Sequence, residues 1–246
     1  MSFATNLRLS DDDSARERRK TLALLQDGEH GSYLPRHTLF FNLATLDLYE
    51  GDGIAAWERL QHVWGWIKAS MNLRVETARI VYHELRGRAA ISALVQYRSR
   101  RRELRRAALR DIRALAREPA DWAHGYAHLL RGGLLAVYGE PAAAMDAYAA
   151  AEEVLERCDM QLARYAARDR RGALLGGAEG HALRADAHRA LAEQGIVNPE
   201  RMLGLVAPGR WPAFRATGPR ALQTEPSPRT RVLTRTGVRQ AQSVIE

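Results

Sequence analysis

The segments "LYEGDGIAAWERL" (residues 48–60) and "VYGEPAAAMDAY" (residues 137–148) share one pattern that decides the fold. Each has a tyrosine just before a glycine, an alanine five residues after that glycine and a large side chain nine residues after it. Glycine allows two helices to meet in a tight turn. The alanine lets the second helix approach the first, and the large side chain fills the space beyond. We therefore predict two helical hairpins with these packing residues: Ala56 and Leu60, then Ala144 and Tyr148.

The composition extends this prediction to the whole chain. The 246 residues are 46% hydrophobic, and Ala, Leu, Arg and Glu, which favour helices, dominate the long stretches between helix breakers. Gly51 and Gly139 are 88 residues apart, which is not a multiple of the tetratricopeptide repeat of about 34 residues. The predicted fold class is all-α, with stacked antiparallel helical hairpins in a degenerate solenoid that resembles tetratricopeptide arrays. A closed helical bundle is the alternative.

The chain divides into three predicted parts. Residues 1–13 are expected to be a disordered N-terminus, residues 14–209 a helical-repeat domain, and residues 210–246 a disordered tail rich in Arg, Pro and Thr. Trp211 and Phe214 are candidates for docking onto the last helices. Periodicity and helix stops predict helices over 14–25, 35–49, 54–69, 73–94, an arginine-rich stretch ending before Pro119, 122–138, 141–157, 161–175, 179–193 and a short one after Asn198.

Two stretches resemble a known family. Residues 33–60 and residues 158–209, with "LLGGAEG" (residues 174–180) followed by "GIVNPERM" (residues 195–202), are similar to the C-terminal helical region of bacterial serine/threonine protein kinases of the eukaryotic-like (Hanks) type. The resemblance covers about residues 14–209. It implies a non-catalytic module that binds a partner protein or a kinase domain. Stacked hairpins of this kind form a concave groove that holds peptides or partner helices.

Kinase catalysis does not carry over with the resemblance. The glycine-rich loop, strand lysine, HRD loop and DFG metal ligand of a kinase are all absent from the sequence. Lys20 and Lys68 lie in predicted helices, and the glycines of 176–180 follow no strand and precede no lysine. We therefore predict that the chain is not an enzyme and binds no cofactor. A site assembled from several helices is the remaining enzymatic alternative.

Residues 97–118 form the segment with the strongest functional character, because they carry nine arginines and three acids. Leu104, Ala108, Ile112 and Leu115 follow helical spacing and predict one buried stripe. The helix is therefore amphipathic, with one cationic face over residues 98–113. We select as candidate partner-binding residues five arginines: Arg98, Arg102, Arg105, Arg106 and Arg113.

Three interpretations of this cationic face stay open. It is the solvent-exposed side of a repeat helix, a site for an acidic protein surface, or a site for nucleic acid. Arginine replaces lysine almost throughout the chain, so a coding preference accounts for part of the arginine density. Nucleic acid is disfavoured because single-strand binding uses aromatic rings for base stacking, and Tyr97, the one aromatic residue here, falls on the apolar side.

Weaker patterns concern metals, thiols and location. His124 and His128 are one helical turn apart with Asp121 nearby, but the sequence lacks the remainder of a zinc motif, and packing is preferred over metal binding.

Cys158 is the only cysteine, so no intrachain disulfide can form, which is typical of a reducing compartment. Residues 1–20 lack the apolar core of a signal peptide, and no window has the length of an apolar membrane span. We expect a cytoplasmic protein with no membrane partner.

Overall fold

The computed structural model describes residues 9–26 and 36–212, and within them the chain is helical, without a β-strand. Two 3-10 helices, Met71–Arg74 and Arg98–Arg100, precede the fourth and fifth α-helices. The ten α-helices after Asp13 are α1 (Ser14–Gln26), α2 (Arg36–Tyr49), α3 (Gly53–Ala69), α4 (Glu76–Gln96), α5 (Arg101–Leu115), α6 (Asp121–Val137), α7 (Pro141–Arg157), α8 (Gln161–Leu175), α9 (Gly177–Glu193) and α10 (Pro199–Val206).

The helices stack in sequence order as antiparallel hairpins. Each helix from α1 to α9 packs on the next, and the hairpins are α2–α3, α4–α5, α6–α7 and α8–α9. Contacts that skip one helix join α2 with α4, α4 with α6, and α6 with α8. The first helices of the hairpins therefore form one face, which we call the inner face, and the predicted fold class is confirmed.

The repeated turn is a helix C-cap with a defined hydrogen-bond pattern. At Gly51, where φ is +83°, the amide of Asp52 donates to the carbonyl of Asp47, and the amide of Gly51 donates to that of Leu48. The same two bonds, which define a Schellman motif, recur around Gly139, Asp159 and Gly195, all with positive φ. A Cβ on Gly51 or Gly139 would meet no atom within 4 Å. These glycines therefore supply the backbone conformation, and the predicted close approach of helices depends on other residues.

Small residues on the helices make that close approach. Ala56 and Ala144 are fully buried, as are the predicted large residues Leu60 and Tyr148, so the packing role of these four positions is confirmed. A Cβ on Gly53 would lie 2.5 Å from the backbone carbon of Ser92, in α4. The register between consecutive hairpins is thereby fixed sterically.

Residues on both sides of the predicted domain, 14–209, also pack against it. Leu9 is fully buried, and the carbonyl of Ser10 accepts a hydrogen bond of 2.8 Å from the amide of Val197. Arg210, Trp211 and Pro212 are described, and the ring of Trp211 lies 6.0 Å from that of Tyr148, in α7. The remainder of the predicted disordered termini, with Phe214, lies outside the described residues.

The last helix returns to the beginning of the array. Helix α10 packs on α8 and α9 and also on α2. Asn198 and Arg201 both bond to Asp12, which precedes α1, at 3.1 Å. Residues 196–211 therefore connect the last hairpin to the first. Among the described helices, none has both the length and the apolar character needed to cross a membrane.

Candidate interaction site

An open cleft lies along the N-terminal half of α5, where the arginine-rich sequence begins. Its volume of about 1130 Å³ suits several side chains of a partner better than one small ligand. The cleft is lined by six arginines and one glutamate among its ten residues: Ser99, Arg100, Arg101, Arg102, Glu103, Arg105, Arg106, Leu109, Arg110 and Tyr138.

Tyr138 organises the centre of this arginine cleft. The residue caps the C-terminus of α6, and its ring faces the first turn of α5. The guanidinium carbons of Arg101 and Arg105 lie 4.7 and 5.0 Å from the ring centroid. Both distances fall within the range of cation–π interactions, so the aromatic ring holds the two cations one helical turn apart.

The single carboxylate of the cleft already has a partner. Glu103 accepts hydrogen bonds from Arg100 at 2.7 and 2.9 Å, and these bonds hold the pKa of Glu103 below its usual value. Within residues 9–26 and 36–212, no carboxylate pairs with Arg101, Arg102, Arg105, Arg106 or Arg110. Five exposed guanidinium groups therefore face the cleft without a negative partner from the described part of the chain.

The structure brings together three of the five candidate residues. Arg102, Arg105 and Arg106 line the cleft. Arg113 is exposed but lies two turns further along α5, and the side chain of Arg98 falls outside the described part. Arg101, which was not among the five candidates, is also exposed, lines the cleft and stacks on Tyr138.

The buried side of α5 matches the prediction at three of its four positions. Leu104, Ala108 and Leu115 are buried, whereas Ile112 is half-buried, and Asp111 takes the fully buried place beside it. Asp111 accepts hydrogen bonds of 2.8 and 2.9 Å from Arg86 of α4, and its Oδ1 lies 2.7 Å from Nδ1 of His83. The ion pair with Arg86, on the other helix of the hairpin, thus makes the burial of the Asp111 carboxylate possible. The spacing of apolar residues did not predict this buried charge.

The inner face is occupied by the protein's own C-terminal segment, residues 196–211. Arg88 of α4 donates to the carbonyl of Leu205 at 3.0 Å, and Arg170 of α8 donates to that of Ala207 at 2.9 Å. Gly133 of α6 leaves room for the carbonyl oxygen of Pro208. A Cβ added to Gly133 would lie only 3.3 Å from that oxygen. The expected open groove for a peptide is therefore wrong for this face.

A buried ionic cluster fixes that segment. Asp169 is fully buried and accepts bonds from Arg170 at 2.7 Å and Arg184 at 2.9 Å. Burial alone would raise the pKa of Asp169, but a hydrogen bond from His188 and the two arginine charges outweigh burial and lower it. Glu200 at the start of α10 approaches Arg184 to 3.7 Å, so the cluster extends from α8 to the C-terminal segment.

The predicted histidine pair, His124 and His128, lies half-buried on α6. Nε2 of His124 lies 2.8 Å from the carbonyl of Glu118, and burial lowers the pKa of His128. The described residues hold no group of three or more His, Cys, Asp or Glu side chains placed to bind a metal ion. Cys158 is half-buried at the C-cap of α7, and its thiol is free.

The chain matches no protein-family model, no curated protein and no solved structure. The resemblance of residues 33–60 and 158–209 to kinase-associated helical regions therefore stays a prediction from the sequence.

Proposed function

We propose that this chain is a non-catalytic protein-interaction module that binds an acidic segment of a partner protein in the arginine cleft. The observation that carries the proposal is the set of five exposed guanidinium groups that face the cleft with no carboxylate partner in the described chain. Clustered like charges repel, and an acidic ligand removes that repulsion while it gains several charge-assisted hydrogen bonds.

The scaffold supports a binding role for this outer surface. Helix α5 packs on both α4 and α6, so the arginines project from a helix held on two sides. Tyr138 positions two of the guanidinium groups before any ligand arrives, which lowers the entropic cost of binding. The inner face is filled by residues 196–211, so a partner of the folded protein finds the outer surface available instead.

The resemblance to kinase-associated helical regions suggests which acidic protein to test first. A serine/threonine kinase domain, or a protein that such a kinase modifies, is the partner class that the resemblance implies. Nucleic acid is the alternative ligand for a cationic surface. It is disfavoured because the ring of Tyr138 is covered by two arginines, and Tyr97, which packs against the core, lies 5.7 Å from the Arg100 guanidinium.

The experiment measures binding of a fluorescein-labelled glutamate-rich peptide by fluorescence anisotropy at two salt concentrations. We expect binding that weakens with salt and falls at least about tenfold in the variant Arg102→Glu/Arg105→Glu/Arg106→Glu. The matched control reverses three exposed arginines elsewhere, Arg131→Glu/Arg157→Glu/Arg189→Glu, and has the same net charge. Equal losses in the two variants, or no binding by the natural protein at low salt, would contradict the proposal.

A further inference from the structure

Arg101 and Arg105 form a preorganised pair in the arginine cleft. They are four residues apart on α5, and both guanidinium groups stack on the ring of Tyr138. Arg101 also approaches the carbonyl of Val137 at 3.5 Å, which anchors the first member of the pair to α6. Two planar forks, each with several donors, are thus held near one point of the cleft.

The surroundings of the pair add positive potential from two further sources. Arg102 and Arg106 follow the pair by one residue each, so four guanidinium groups occupy two consecutive turns. No side chain caps the N-terminus of α5, where the amide groups and the helix dipole favour a negative charge. The centre of the cleft therefore carries more positive charge than one carboxylate can balance.

We infer that the subsite formed by Arg101, Arg105 and Tyr138 takes the phosphoryl group of a phosphorylated side chain in the partner protein. This inference rests on the proposed function and specifies the chemistry of the acidic segment. A phosphate monoester carries close to two negative charges at neutral pH and three terminal oxygens, whereas a carboxylate carries one charge and two oxygens. Paired guanidinium forks satisfy the phosphate, and arginine clusters are its usual protein receptors.

The same geometry favours a phosphopeptide over nucleic acid. A single strand is bound through phosphates along an extended groove, with bases stacked on exposed rings. Here the four arginines are confined to two turns of one helix, and the ring of Tyr138 already stacks against Arg101 and Arg105. A single phosphorylated side chain fits this confined cluster.

The test measures how the 246-residue chain binds three fluorescein-labelled peptides of one Ser/Gly-rich sequence. In these peptides adjacent serines are phosphorylated, replaced by glutamate or left unmodified. We expect the phosphorylated peptide to bind about tenfold more tightly than the glutamate peptide. Equal affinity of the two acidic peptides overturns this inference and leaves the proposed function intact. If neither acidic peptide binds better than the unmodified one, the inference and the proposed function both fail.

Two variants separate phosphate recognition from simple charge attraction. Arg105→Lys keeps the charge and removes the fork, and Tyr138→Leu removes the ring that holds the pair. Each should reduce the preference for the phosphorylated over the glutamate peptide by about threefold or more, because the bidentate geometry is lost. Arg117→Lys, an exposed position outside the cleft, should leave that preference unchanged.

A competition experiment addresses the remaining macromolecular ligand. A single-stranded oligonucleotide, present at the same concentration of phosphate groups as the peptide, should displace less than half of the bound phosphopeptide. Stronger displacement, or retained preference in both Arg105→Lys and Tyr138→Leu, would overturn the assignment of this subsite.

Discussion

Arginine serves two opposite purposes on the two sides of this molecule. On the inner face, Arg88 and Arg170 are buried, paired with carboxylates and bonded to main-chain carbonyls of residues 196–211. In the outer cleft, Arg102 and Arg106 are exposed and have no carboxylate partner among the described residues. The same side chain therefore builds the fold where its charge is balanced inside the chain, and offers a binding surface where it is not.

This difference separates stability from binding in a way that can be measured. Breaking a buried ion pair leaves an uncompensated charge in a medium that solvates it poorly, and the folded state is strongly destabilised. Removing an exposed charge changes the free energy of unfolding little, since water already solvates it.

The largest effect is expected for Asp169→Ala on the inner side. Arg170 and Arg184 would remain buried without their shared carboxylate, so the free energy of unfolding should fall by about 3–5 kcal/mol. Urea unfolding followed by circular dichroism measures the change. The control Asp186→Ala removes a carboxylate that is one-third exposed and should cost about 1 kcal/mol or less. Similar losses for the two variants would remove the distinction between the faces.

A smaller effect is expected when both members of a buried pair are replaced together. Burial raises the pKa of Glu84, against the charge and hydrogen bond of Arg88. Arg88→Met alone leaves Glu84 without its partner and should cost about 3 kcal/mol or more. Glu84→Leu/Arg88→Met should cost less, about 1–3 kcal/mol, because only the carbonyl of Leu205 then loses its donor. A double variant less stable than the single one would contradict this account.

The contact between the two ends of the array should depend on pH. The hydroxyl of Tyr49 holds the pKa of Asp12 below its usual value of 3.8, with help from Asn198 and Arg201 and against the effect of burial. A carboxylate whose pKa is lowered by folding contributes stability above its unfolded pKa, and this contribution disappears as the pH falls through the folded pKa. The stability advantage of the natural protein over Asp12→Asn should therefore be present at neutral pH and vanish in acid.

Urea midpoints measured from neutral pH to about pH 3 test this dependence. The control is Asp11→Asn, which removes a charge at the exposed neighbouring carboxylate. If the natural protein remains more stable than Asp12→Asn by the same amount in acid, the contribution of the Asp12 contacts to stability does not depend on protonation of its carboxylate.

The smallest change in stability is expected in the outer cleft. Arg102→Glu/Arg105→Glu/Arg106→Glu should alter the free energy of unfolding by no more than about 0.5 kcal/mol per substitution, because these side chains are exposed. The same variant should lose binding to acidic peptides, as proposed above. Thermal unfolding of the free protein measures the first property, and a fall as large as that for Asp169→Ala would assign these arginines to the fold.

The sequence predicted the helices well because their signals are local. Helices α7 and α8 have the predicted bounds, and Gly51 and Gly139 mark the turns through a backbone conformation that glycine favours. The turn between these two helices was also predicted in place, but its positive φ of +55° at Asp159 was not, because no glycine stands there.

The site was only partly predictable because its geometry depends on contacts between helices. Charge and helical spacing selected Arg102, Arg105 and Arg106, which do line the cleft. The sequence placed Tyr138 at a turn but did not predict its contact with Arg101 and Arg105. That contact depends on how the end of α6 packs on α5. The bond from Arg88 to Leu205 spans 117 residues, and no sequence periodicity reports such a contact.

The contact of α10 with α2 limits how many hairpins this array can contain. In open repeat arrays each unit touches only its neighbours, so units can be gained, lost or melted from one end. Here α10 touches α2 as well as α8, and an inserted hairpin would move the first and last hairpins apart. The number of hairpins is therefore fixed by the fit of one short helix, and the array is expected to unfold as a unit, as a globular domain does.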